Sequence, residues 1–163
     1  MPITSKPKVT QRKLSAVKVR VKKINPDAVI PSFKTEGAAC FDLAVMDDIV
    51  LHTLNACDEA LMVPTGLAFE IPEGYHMKIF LRSSIGHTSH LRLANGTGII
   101  DSDYRGEVML LVENPSRDLV IIPKGSRIAQ GMIEKNVPVV FEEVEELSET
   151  KRGAGGFGST GKI

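Results

Sequence analysis

From Val17 the chain alternates apolar and cationic residues, Val17-Lys-Val19-Arg-Val21-Lys22. A period of two matches the pleat of a half-buried strand, so the ordered fold is expected to begin here. Pro26, Pro31 and Gly37 punctuate a loop, and Ala38-Ala-Cys40-Phe41-Asp42-Leu43-Ala-Val45 then reads as a short, mostly apolar strand. Further apolar runs follow at Leu67-Ala-Phe-Glu-Ile71, Tyr75-His-Met-Lys-Ile-Phe-Leu81, Val108-Met-Leu-Leu-Val112 and Leu119-Val-Ile-Ile122. Turn signals separate them: Pro64-Thr-Gly66, Pro72-Glu-Gly74, Asn114-Pro115 and Pro123-Lys-Gly125. Short strands between frequent Pro and Gly turns predict an all-β sandwich or barrel rather than alternating strands and helices. One brief helix is expected near residues 84–90, capped by a serine.

A length of 163 residues with 42% hydrophobic content supports one domain with a real core. The expected division is a flexible basic arm over residues 1–16, a β domain over 17–147 and a glycine-rich flap over 148–163. The arm carries Lys6, Lys8, Arg12 and Lys13 without an acidic residue. It reads as an unordered extension, with weak anion binding or targeting as the open alternative. A formal net charge of +0 provides no global field for nucleic acid or an anionic membrane, and no apolar run is long enough to span a bilayer. Cys40 and Cys57 are too few for a disulfide scaffold, and no signal-like segment opens the chain, so a cytoplasmic setting is expected, or a nuclear or host-cell one for a eukaryotic or viral source.

Chemistry concentrates in Gly98-Ile-Ile-Asp101-Ser-Asp103-Tyr104-Arg105-Gly106-Glu107. Read as a strand, this stretch puts Asp101 and Asp103 on one face, where two carboxylates can hold a divalent metal or divide acid and base roles. Read as a turn, it uses ordinary turn residues. Asp42 interrupts an apolar strand, so it is either paired, hydrogen-bonded or near a metal, or it faces water at a strand end. Arg82-Ser83-Ser84 offers a guanidinium fork and hydroxyls, which suit a phosphate as well as an exposed turn. Arg127 and Gln130 are the polar members of the last apolar run; the spacing of His87 and His90 reads as surface, not as a zinc site.

The tail follows five glutamates, Glu142, Glu143, Glu145, Glu146 and Glu149, and runs Lys151-Arg152-Gly153-Ala-Gly155-Gly156-Phe157-Gly158-Ser159-Thr160-Gly161-Lys162-Ile163. Its glycines overlay a dinucleotide fingerprint and nearly a Walker A loop. Both matches fail, because no helix can follow in the few residues left and Ile163 stands where Ser or Thr would meet magnesium. A plain flexible linker has no use for Arg152 and Phe157, whereas a flap closing on a nucleotide does: a ring for a base, a guanidinium for phosphate.

Taken in order, five segments resemble the motifs of the homotrimeric dUTPase (deoxyuridine triphosphate nucleotidohydrolase) family. They are Ala39-Cys-Phe-Asp42-Leu, Arg82-Ser83-Ser84, Asn95-Gly-Thr-Gly98-Ile-Ile-Asp101-Ser-Asp-Tyr104-Arg-Gly106, Gly125-Ser-Arg127-Ile-Ala-Gln130, and Arg152-Gly-Ala-Gly-Gly-Phe157-Gly-Ser159-Thr160-Gly. The third and fifth are the specific ones. Departures from the commonest pattern are Cys40 and Ser84 for glycine, Phe41 for tyrosine and Ser126 for aspartate; the last removes one possible partner for Arg127. A dCTP deaminase shares the Arg-Ser-Ser element, but residues 101–104 and the tail resemble the diphosphatase.

The resemblance implies a jelly-roll-like β fold assembled as a homotrimer with active sites at subunit interfaces. It implies magnesium-assisted hydrolysis of dUTP to dUMP and pyrophosphate, limiting uracil in DNA and supplying dUMP for dTMP synthesis. Asp101 would orient or activate the attacking water and hold the sugar 3′-hydroxyl. Tyr104 would pack on deoxyribose, and Asn95 with the Gly98 backbone would meet uracil. Arg82, Ser83, Ser84 and Gln130 would contact phosphates. From another subunit, Phe157 would cover uracil while Arg152, Gly158, Ser159 and Thr160 reach the γ-phosphate. Mg2+ would be held by the triphosphate and water, with Asp42 acting through water.

Overall fold

The computed structural model describes residues 16–53, 59–156 and 159. Among them the chain forms eleven strands and one short helix: β1 (Arg20–Lys23), β2 (Phe41–Ala44), β3 (Ile49–Leu51), β4 (Leu61–Pro64), β5 (Leu67–Glu70), β6 (Tyr75–Leu81), α1 (Ser83–Thr88), β7 (Arg92–Leu93), β8 (Gly98–Ile100), β9 (Met109–Glu113), β10 (Val120–Ile122) and β11 (Arg127–Lys135). All pairings are antiparallel. A four-stranded sheet in the order β2-β11-β6-β8, a three-stranded sheet, β4-β9-β7, and the ribbons β1-β5 and β3-β10 all contribute side chains to one buried hydrophobic cluster. No described helix is long and apolar enough to cross a membrane.

Alternation sets which side chains enter the core. Phe41 and Leu43 of β2, Met77 and Ile79 of β6, and Leu110 and Val112 of β9 point inward and are buried. β1 starts later than the period-two run, because its partner β5 ends shortly before Pro72, which has no N–H for a ladder. Gly66 joins three segments. At φ +69° its N–H donates to Glu107 Oε1 at 2.7 Å, while its carbonyl accepts the Ile24 N–H at 2.8 Å. A β-carbon there would fall 2.8 Å from Ala28 Cβ.

The helix is present, but the serine cap is not. Arg82 takes the N-cap position with extended backbone angles and no side-chain cap bond. Its N–H still bonds the Ile128 carbonyl at 2.9 Å, so extended backbone persists through residue 82 and both serines fall inside the first turn.

Candidate functional site

Residues 98–107 are a strand that ends in a turn. β8 pairs with β6, setting Gly98 opposite Ile79, where a β-carbon on Gly98 would come within 3.2 Å of the Ile79 Cβ. The strand stops at Ile100, so Asp101 and Asp103 do not share a strand face, and the paired-carboxylate reading gives way to the turn. The Tyr104 N–H donates to the Asp101 carbonyl at 3.3 Å, and Arg105 Nη1 clamps the Ser102 and Tyr104 carbonyls at 2.6 and 2.9 Å. The turn is not a hairpin between neighbours: β8 belongs to the four-stranded sheet and β9 to the three-stranded one. Residues 101–108 therefore cross from one sheet to the other, which exposes Asp101 and Tyr104 at the rim.

Two clefts share Ile99, Ile100, Met109 and Leu111 in their walls. The smaller, about 80 Å3, is bounded by Asn95, Gly98 and Ile79. The larger, about 300 Å3, is bounded by Asp101, Tyr104, Glu107 and Met62. One continuous wall thus runs from a backbone-lined end to a carboxylate and an aromatic ring. Tyr104 is held in place: its hydroxyl donates to the Glu107 carbonyl at 3.0 Å, and its ring lies over Gly106.

A second group forms on the outer face of the other sheet edge. β11 carries a bulge between Arg127 and Ala129, so Arg127 pairs with Ala44 and Gln130 with Asp42. Ala44 and Asp42 lie two apart on one strand and share a face, so the extra residue brings Arg127 and Gln130 to that same face. Asp42, its side chain only 11% exposed, meets Arg82 Nε through Oδ1 at 3.1 Å and Arg127 Nη1 through Oδ2 at 2.8 Å. The carboxylate inside an apolar strand is therefore doubly paired, and Arg127, lacking an aspartate at 126, finds its partner across the sheet. Gln130 Nε2 donates to the Leu81 carbonyl at 3.3 Å. Ser83 and Ser84 are exposed in the first turn of α1, where backbone N–H groups have no partner within the helix.

Neither cleft contains Asp42, Arg82, Ser83, Ser84 or Gln130 in its walls. The chain therefore assembles its predicted residues as two groups. Of the tail, Arg152 and Ser159 are exposed; Arg152 Nε donates to the Gly155 carbonyl at 2.8 Å and the Ser159 N–H to the Gly156 carbonyl at 3.0 Å. The expectations for Phe157, Gly158 and Thr160, and for the arm over residues 1–15, lie outside the described residues. Among the described residues no three His, Cys, Asp or Glu side chains cluster as a metal cage. Arg127 is the member of the second group to which residue patterns alone assigned nothing. Its signal, a polar pair three apart in a strand, acquires meaning only with the bulge.

A family model described as dUTPase matches residues 26–161. The chain is 45% identical over 146 residues to the deoxyuridine 5′-triphosphate nucleotidohydrolase of Nautilia profundicola, covering 90% of this chain and 100% of that one. It is 41% identical over 149 residues to the protein of the same name from Wolinella succinogenes, covering 91% and 97%. Among solved structures it is similar to the dUTPase of Staphylococcus bacteriophage 80alpha with dUPNHPP, at 26% identity and a TM-score of 0.77, covering 89% of this chain and 99% of that one.

Proposed function

Since the chain belongs to the dUTPase family, we propose that it hydrolyses dUTP to dUMP and pyrophosphate. The observation that carries this reading is the shared wall that joins the Asn95 and Gly98 cleft to the Asp101 and Tyr104 cleft. A pyrimidine fits the narrow end, where Asn95 and the Gly98 backbone offer donors and acceptors to a base edge. The sugar then lies against the Tyr104 ring, whose fixed plane leaves no space for a 2′-hydroxyl, and Asp101 reaches the 3′-hydroxyl and the water.

Phosphoryl transfer is mainly a matter of positioning and of neutralising charge on the phosphate oxygens. Asp101 accepts a proton from the water and aims it at the α-phosphorus. Arg82, Ser83, Ser84 and Gln130 hold the phosphate chain; Arg152, Gly158, Ser159 and Thr160 close on its far end, and Phe157 covers the base. Mg2+, when bound, would supply charge neutralisation to the phosphate chain. In this reading the cation keeps its waters and is carried by the triphosphate, and Asp42 would act on it through such a water.

In this reading the enzyme is a homotrimer of jelly-roll-like subunits with sites shared between copies. Two features support that. The nucleoside clefts and the arginine group are separate within one chain. The segment from Val137 to Leu147 also presents Val137, Val139, Val140, Phe141 and Leu147 at 65% exposure or more, with no backbone hydrogen bond among the described residues to tie it to its own body. A cytoplasmic place beside the nucleotide pool goes with limiting uracil in DNA and supplying dUMP for dTMP synthesis.

The test is pyrophosphate release from each deoxynucleoside triphosphate. Turnover of dUTP alone is expected. Ammonia released from dCTP without pyrophosphate would overturn the assignment.

A further inference from the structure

Arg127 has no role in the site as proposed, yet it touches both members of the pair that presents a cation to phosphate. Its Nη1 donates to Asp42 Oδ2 at 2.8 Å, and its carbonyl accepts Arg82 Nη1 at 3.0 Å. Arg82 Nε lies 3.1 Å from Asp42 Oδ1. One carboxylate, on a side chain 11% exposed, is thus shared by the guanidinium groups of two arginine side chains that are 30% and 44% exposed.

Charge counting shows what the third member does. Arg82 and Asp42 alone sum to zero, so the cation meant for an anion would already be neutralised by its neighbour at close range. Adding Arg127 brings the cluster to a net +1. Asp42 is then balanced from the side of β11, and the surplus charge sits on Arg82. Geometry acts in the same direction. The Arg127 carbonyl accepts a hydrogen bond from Arg82 Nη1 and the Asp42 carboxylate pairs with Nε, which restrains the guanidinium from two sides and uses neither Nη2 hydrogen. The bulge at Arg127–Ala129 makes both contacts possible, because it puts the Arg127 side chain on the Asp42 face.

We propose that Arg127 is a positioning residue for phosphate recognition, acting through Asp42 to keep Arg82 charged toward the nucleotide and correctly turned. This rests on the reading of Arg82 as a phosphate ligand.

The test compares wild type with Arg127→Met and Arg127→Lys, by steady-state hydrolysis of dUTP and by calorimetric binding of deoxyuridine, dUMP and a non-hydrolysable dUTP analogue. Arg127→Met should raise KM for dUTP about tenfold, the size of one charge-assisted contact to phosphate. Analogue binding should weaken by a similar factor, dUMP binding by less, and deoxyuridine binding by less than twofold. Arg127→Lys, which keeps the charge, should recover more than half of the loss on a logarithmic scale. In an Arg82→Met background the Arg127→Met change should add less than twofold.

Equal weakening of deoxyuridine and the triphosphate analogue would assign Arg127 a merely structural role and overturn the inference. Full additivity with Arg82→Met, or an Arg127→Met enzyme indistinguishable from wild type, would also overturn it. A wild-type protein that releases no pyrophosphate from dUTP fails the functional reading itself, and the two failures are thereby told apart.

Discussion

Tyr104 lies so close over Gly106 that a β-carbon at position 106 would fall 2.6 Å from the ring Cζ, and the same side chain is anchored by its hydroxyl on the Glu107 carbonyl at 3.0 Å. On the proposed reading of Tyr104, the glycine therefore shapes the surface on which the sugar would pack. Gly106→Ala forces the ring off its seat. Because a misplacement of about 1 Å can cost roughly a hundredfold in rate, kcat/KM for dUTP should fall about tenfold to a hundredfold. Preference for dUTP over UTP should narrow as space opens for the extra hydroxyl. Paired kinetics on the two nucleotides check this; an unchanged ratio would remove Tyr104 from the discrimination of sugars.

Asp101 stands exposed where β8 ends, on the wall shared with Tyr104, and accepts the Tyr104 N–H only through its backbone carbonyl. Its carboxylate is thus free of the turn's own hydrogen bonds. Asp101→Asn keeps the size and the turn but cannot take a proton. Loss of a general base typically costs about 10^2- to 10^4-fold, so kcat should fall at least a hundredfold while binding of a dUTP analogue changes less than threefold. Stopped turnover with intact binding is the expected pair of results. Comparable kcat values for variant and wild type would assign the water to another group.

How far residue patterns reach can be judged from β6 and β11. The run from Tyr75 to Leu81 follows the Pro72-Glu-Gly74 turn and is apolar at every second position, and the strand has those same limits. The two-residue β7 and the four-residue β4 lack such length; Leu61–Pro64 abuts its own turn, so periodicity has too few positions to register. The bulge in β11 depends on its register with β2, a relation between segments 85 residues apart that no local pattern contains. For that reason Asp42 was legible as a carboxylate in need of a partner, but its two arginine partners were not. The residues proposed to meet the nucleoside, Asn95 to Tyr104, could be grouped from the sequence because one contiguous segment supplies them.

Gly131 illustrates a constraint of packing rather than chemistry. It lies opposite Phe41 in β2 and Ile79 in β6, and a β-carbon there would meet Phe41 Cε2 at 2.5 Å and Met77 Sδ at 3.2 Å. Phe41 is flanked by Phe33, edge-on at 5.8 Å, and by Phe69, stacked at 6.4 Å, so moving its ring disturbs both aromatic contacts even though all three line a cleft of about 460 Å3. Overpacking of this kind costs ~1–3 kcal/mol. Gly131→Ala should therefore lower the melting temperature by roughly 5 °C. The double variant with Phe41→Leu should recover most of that loss. Calorimetry decides it, and an unchanged midpoint for the single variant would show that the ring is free to move.

The tail offers the sharpest test of a shared site. The hydrogen bonds of its described residues are local, such as Arg152 to Gly155 and Ser159 to Gly156, and none reaches the β body. Removing residue 152 onward should leave the melting temperature within about 2 °C, because none of the hydrogen bonds made by its described residues reaches the β body. Hydrolysis should nevertheless drop by roughly a hundredfold, since closure over the nucleotide is lost. If the tail serves a neighbouring copy, activity can be rebuilt from two inactive chains. Asp101→Asn subunits carry an intact tail, and tail-deleted subunits carry an intact Asp101. Co-expressed, they should form mixed assemblies with some sites that combine both, and turnover should rise well above that of either variant alone. Mixed assemblies no more active than their parents would mean that tail and Asp101 must come from the same chain.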